Sequence, residues 1–207
     1  MKIIPPSFDI IGDVNGAEVL KNIERAGRTC YKSEDLITPD SAAAFVKRIL
    51  KRGHESVIEH DKATVRIVCD RGVSHEIVRH RIASFSQEST RYCNYAKDKF
   101  GNELTFIRPF FWQEDSDKYR LWQKTMQTIE DAYMEMLEMG ATPEEARSIL
   151  PNSLKTEILV TMNMRSWRHF FKLRTTEGAH PQMREVARPL LGAFKNKIPV
   201  LFDDIAD

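Results

Sequence analysis

Apolar positions recur at helical spacing in several stretches of the chain and alternate in others, and together these patterns predict its architecture. Ala42, Phe45, Val46, Ile49 and Leu50 follow the i, i+3, i+4, i+7, i+8 rule, with Thr38 as the expected cap, Pro39 at the first helical position and Gly53 as the stop. Tyr119, Trp122, Met126, Ile129, Tyr133, Met136 and Leu137 make a longer stripe, predicting a helix over 116–139 ended by Gly140. Met183, Val186, Ala187, Leu190, Leu191 and Phe194 predict a last helix over 181–197, with Pro189 as a kink. After Asn163 as a cap, Trp167, Phe170, Phe171 and Arg174 share one helical face, while Arg165, His169 and Lys172 share another. Shorter helices are expected over 15–28, after Ser74, and from the capping box Thr142-Pro143-Glu144-Glu145. Ala63, Val65, Ile67 and Cys69 alternate with mostly polar neighbours, which predicts a strand over 62–70. A second strand is expected at 156–162, an edge strand or extended arm at 2–11, and a hairpin joining 93–95 to 104–108. The sum is an α+β protein, a single domain over 1–207 with a small mixed or antiparallel sheet packed against several helices.

Composition narrows the function classes without choosing one. The net charge of +1 over 207 residues gives no global field for nucleic acid or a membrane surface, so any basic site is local. No apolar run is long enough to span a bilayer, and the three cysteines, Cys30, Cys69 and Cys93, form neither a framework nor a C-x-x-C pair, which predicts a cytoplasmic protein. His75-Glu76 leads to Arg79 where a second histidine would be needed for a zinc motif, and His54 and His60 are wrongly spaced, so no metal is expected. Methionines and aromatics at helical spacing are read as core packing.

The chemistry concentrates in 79–92. Arg79, Arg81 and Arg91 lie there with one carboxylate, Glu88, interleaved with Ser84, Ser86, Gln87 and Ser89 and the rings Phe85 and Tyr92. Guanidinium forks recognise phosphate or carboxylate in a bidentate manner, and hydroxyls complete such a cradle.

Arg79-His80-Arg81, seven residues and then Ser89 resemble the signature of the flavin-dependent thymidylate synthases. Three further blocks follow the family's order: Gly53-His54-Glu55-Ser56 with Glu59-His60, Arg147 before Leu150-Pro151, and Asn163-Met164-Arg165-Ser166-Trp167-Arg168-His169 running on to Arg174. The resemblance implies methylation of dUMP to dTMP, with 5,10-methylenetetrahydrofolate as carbon donor, FAD as redox cofactor and NADPH as reductant, without a cysteine nucleophile. It implies cofactor contacts from His54, Ser56, Arg79, His80, Arg81, Gln87, Asn163, Met164, Arg165 and His169. Substrate contacts are implied for Glu76, Arg79, Gln87, Glu88, Ser89, Thr90, Arg91, Arg147 and Arg174, with Arg174 catalytic through charge developing on the uracil. It also implies a homotetramer whose active sites are shared between subunits.

Two departures qualify the carry-over. Glu76 stands where some members have Gln, and Gln87 where others have Glu, so a role needing a carboxylate at 87 does not transfer. Ser89 has no neighbouring base in sequence and is read as a binding and polarising residue. Two rival readings use the same arginines: a flavin- or nucleotide-binding module without turnover, and a single-strand nucleic-acid binder, which the near-neutral charge disfavours.

Overall fold

A computed structural model describes residues 1–206. In chain order its elements are β1 (Lys2–Ile4), β2 (Ser7–Ile11), α1 (Gly16–Tyr31), α2 (Ser41–Lys51), β3 (Lys62–Asp70), α3 (Arg71–Ile77), β4 (Ala83–Gln87), β5 (Thr105–Ile107), α4 (Asp117–Glu138), α5 (Pro143–Ala146), β6 (Lys155–Asn163), α6 (Met164–Arg174), α7 (Pro181–Lys197) and α8 (Pro199–Phe202). One sheet has the order β2-β3-β6-β4, and a second consists of β1 and β5, which pair in parallel with Lys2 opposite Thr105. The α+β class expected from the pattern holds.

The chain divides into two compact units. The first comprises 1–7, 67–79 and 86–158; the second comprises 8–66, 80–85 and 159–207. In the first, Tyr133, Met126, Leu104, Phe106 and Leu154 form a buried core under α4, as the stripe predicts. In the second, the α6 face carrying Trp167, Phe170 and Phe171 packs with Phe194 of α7 and Phe202 of α8, at ring separations from 5.0 to 5.8 Å. Such aromatic pairs contribute about 0.5–1.5 kcal/mol each beyond area burial. Trp167 also donates its indole N–H to the Ala63 carbonyl at 3.1 Å, so α6 is fixed in rotation as well as position.

Several local expectations change for identifiable reasons. α2 opens at Ser41, not Pro39, because the Ser41 hydroxyl accepts the Thr38 N–H at 2.9 Å and holds Thr38 and Pro39 in the preceding turn. α3 begins three residues before Ser74: Asp70 closes β3 and its Oδ1 caps the Val73 N–H at 2.7 Å. The hairpin is absent. The Tyr92 and Cys93 N–H groups turn back onto the Ser89 carbonyl, and 105–107 pairs with β1. The segment after Arg81, for which the pattern predicts no strand, enters β4. Asn163 caps α6 through Ser166, and the Thr142–Glu145 capping box forms as read.

Candidate functional site

In the first unit the signature's second half is anchored from below. Gln87, at the end of β4, donates its amide to Ser74 Oγ at 2.9 Å and to Thr156 Oγ1 at 3.2 Å, tying the strand to the helix that carries Glu76. Glu88 accepts from the Tyr95 hydroxyl at 2.8 Å and from Lys155 at 2.8 Å, and Lys155 also reaches Glu157 at 2.6 Å. Burial and the adjacent Glu88 push the Tyr95 hydroxyl far above its usual range, so it remains a donor. Lys155 is raised by its two carboxylate partners, which outweigh its desolvation. The Glu88 carboxylate therefore faces this network, and Thr90 is buried beside it.

Above that base the cations are exposed. Arg91 pairs with Glu144 at 3.0 Å and lies over the Tyr92 ring at 5.4 Å. Glu144 opens α5, and the turn that follows α5 carries an exposed Arg147. Glu144 is thus paired with Arg91, from another segment of the same unit. Ser89 is half-buried, its Oγ accepting the Arg91 N–H at 3.3 Å, and Arg79 is exposed just past α3.

In the second unit, His80 is buried, in edge contact with Phe170 at 5.0 Å and with His169 at 5.8 Å. Burial first, and then the charge of Arg174 and the neighbouring His169, lower its pKa to about 4. The imidazole is therefore neutral near pH 7, and its Nε2 accepts the Nε–H of Arg174 at 2.9 Å. Two residues 94 positions apart are joined directly, which no spacing rule could show.

A cavity of about 360 Å³ in the same unit is lined by Arg81, Asn163, Arg165 and His169, four of the expected cofactor residues. Sequence reasoning missed Glu55, Glu59, Arg168 and Lys172 as lining residues of this cavity. Arg165 pairs with Glu59 at 2.6 Å, and Arg168 is held by Asp204 and the Leu201 carbonyl, while its buried Nε has no hydrogen-bond partner among the described residues. Four cations against two carboxylates, with that orphaned donor, fit a diphosphate such as the one in FAD. Lys172 lies on the face read for Arg165 and His169, and Arg168, three residues after Arg165 and four before Lys172, lies at its edge. Met164 is fully buried with its N–H on the Asp61 carbonyl, and His54 and Ser56 are exposed and line no part of this cavity.

Clusters of cations on an α+β scaffold are the kind of site that suits phosphorylated ligands. The profile of the family described as thymidylate synthase complementing protein matches residues 14–200. Relatives named flavin-dependent thymidylate synthase include one from Pyrococcus furiosus, 40% identical over 166 residues (80% of this chain and 67% of that one). A second, from Geobacter sulfurreducens, is 36% identical over 86% of this chain and 78% of its own length. A third, from Corynebacterium aurimucosum, is 37% identical over 97% of this chain and 85% of its own. The crystal structure of the UMP/dUMP methylase PolB from Streptomyces cacaoi bound with 5-Br dUMP shares the fold, with a TM-score of 0.79 and 22% identity over 98% of this chain and 96% of that one. The chain belongs to the flavin-dependent thymidylate synthase family.

Proposed function

We propose that the protein methylates dUMP to dTMP, taking the carbon from 5,10-methylenetetrahydrofolate and the electrons from NADPH through bound FAD. The observation that carries this reading is the Arg174–His80 hydrogen bond in the unit that holds the cationic cavity. The buried imidazole fixes the guanidinium plane. Arg174 then donates to the uracil and stabilises negative charge developing at N3 and its carbonyl oxygens, which raises the nucleophilicity of C5. When bound, FAD supplies the two-electron reduction that converts the transferred methylene to methyl. Arg81, Arg165, Arg168 and Lys172 would hold its diphosphate, with Asn163 and His169 on the same wall.

Arg79, Arg91 and Arg147 with Ser89 would bind the nucleotide phosphate, while Gln87 and Glu88 hold the loop that presents them. Two observations support a reaction without a cysteine nucleophile. Cys69 is fully buried and its thiol is pushed far up by desolvation; Cys93 is raised by burial and by Glu88. Cys30 lies on the exposed side of α1, with its thiol 3.7 Å from the Ala26 carbonyl. A homotetramer belongs to the same proposal, with His54 and Ser56 of one chain meeting Arg79–Arg91 of another. The exposure of His54 and Ser56, neither of which lines the cavity that Arg81 lines, supports it.

Tritium release from 5-tritiated dUMP, with FAD, NADPH and methylenetetrahydrofolate each omitted in turn, tests the reading. Release coupled to dTMP and dependent on all three is expected. Yellow, flavin-bearing protein that releases nothing would instead be a binding module.

A further inference from the structure

A second cavity in the same unit, of about 180 Å³, is lined by Arg28, Arg48, Arg52 and His54, with Tyr31 and Phe45 as its rings. The Phe45 ring is seated against Gly27, where a Cβ would come within 2.5 Å of it. The Arg28 guanidinium lies over that ring at 4.6 Å, with Arg48 at 5.9 Å. Arg28 is neutralised by Glu24, at 2.9 Å, but among the described residues no carboxylate lines the cavity itself. Arg48 and Arg52 are exposed there, and Glu34 and Asp35, though close in sequence to Ser33, lie outside its wall. This differs from the larger cavity, where Glu55 and Glu59 offset part of the positive charge.

We infer that this cavity takes the oxyanion end of a long cosubstrate whose body lies over the flavin. The inference rests on the proposed function, in which His54 is one of the residues that meet the flavin; His54 is also a wall of the cavity. Ligand bodies occupy roughly 300–1,000 Å³. A space of about 180 Å³ is therefore too small for a pterin or a dinucleotide, and suits one or two carboxylates or a phosphate. Arg48 and Arg52 would grip those oxygens, and Tyr31, 60% exposed, offers a ring face to the aromatic group preceding them. Two cosubstrates of the reaction end in oxyanions: the folate in glutamate carboxylates and NADPH in its 2′-phosphate.

Equilibrium binding to the flavin-loaded protein separates the two sources and needs no turnover. The probes are two pairs that differ in charge: mono- and triglutamylated folate, and NAD+ and NADP+, which carry the same 2′-phosphate difference and cannot reduce the flavin. One pair is expected to show tighter binding of its more charged member, and Arg48→Gln combined with Arg52→Gln to weaken that member about tenfold or more. Which pair responds identifies the source. Equal affinity within both pairs, unchanged in the double variant, overturns the inference, and the wild-type arm decides even if the variant folds poorly. Thymidylate formation measured alongside keeps the two claims apart. Active protein without charge discrimination loses only this cavity's role, whereas arginine-dependent discrimination in protein that forms no thymidylate retains an anion site and loses the proposed function.

Discussion

Arg174 and Arg91 are both arginines that the proposed reaction uses to meet an anionic group, and the protein holds them in opposite ways. Arg174 is half-buried, and its Nε–H goes to an uncharged imidazole. Arg91 is 48% exposed and pairs with an exposed carboxylate. A buried acceptor holds a guanidinium in one orientation, whereas a surface carboxylate holds it loosely, in a pair that contributes only about 0–1 kcal/mol. The first arrangement suits a charge that must point in one direction throughout the reaction. The second suits a charge that changes partner when a phosphate arrives.

The largest effect that tests this contrast is at Arg174. Arg174→Ala is expected to reduce thymidylate formation by about 10²–10³-fold, as removal of a preorganised donor typically does, with flavin content retained. Tritium release and the visible flavin spectrum check both halves, and a loss below tenfold would break the contrast at its stronger end.

His80 comes next, because in the proposed reaction it positions Arg174. His80→Phe keeps the ring packing but removes the acceptor; a lost hydrogen bond to a charged group, about 1.5–3 kcal/mol, corresponds to a fall in kcat of roughly 10–100-fold. His80→Gln, which restores an acceptor, should recover part of it, an outcome that a purely packing role would not give. The same residue makes stability depend on pH. Its ordinary pKa of 6.5 falls to about 4 on folding, so over that interval the unfolded chain takes up a proton that the folded one refuses. Its contribution is complete above pH 6.5 and is lost as pH falls through the window, by up to ~3 kcal/mol. Urea unfolding at pH 7 and pH 4.5 measures the difference, which His80→Phe should shrink.

What the sequence made legible follows from how local each signal was. α6 could be read because period, cap and aromatic face agree over 163–174, and its rotation follows from burying Trp167, Phe170 and Phe171 together. β4 could not, since Ala83–Gln87 carries the polar residues of the signature and pairs in the sheet beside a strand more than 65 residues away in sequence. The false hairpin has the same origin: alternation at 93–95 gave no sign that Ser89 would capture the following N–H groups or that Tyr95 would bury its hydroxyl against Glu88. In the candidate site, the residue types and chain order of the arginines were visible. Their partners were not, because His80–Arg174 and Glu88–Lys155 are joined only by the tertiary fold.

The smallest effect probes the exposed end of the contrast. In the proposed reading Glu144 competes with the nucleotide phosphate for Arg91, so Glu144→Gln removes a carboxylate that incoming substrate would have to displace. Its pair with Arg91 is solvated on both sides, and the gain is correspondingly limited. The apparent affinity for dUMP should improve by about two- to fivefold, the equivalent of a surface ion pair, with kcat unchanged. The improvement should fade in high salt, which already screens the competing pair. Glu144 also sits in the first turn of α5, where a negative charge is favourable, so the variant should lose a few tenths of a kcal/mol of stability while it gains affinity. Weaker dUMP binding at low salt would mean that Glu144 positions Arg91 rather than competing for it. The two arginines would then be held by the same principle, each oriented by the group it donates to.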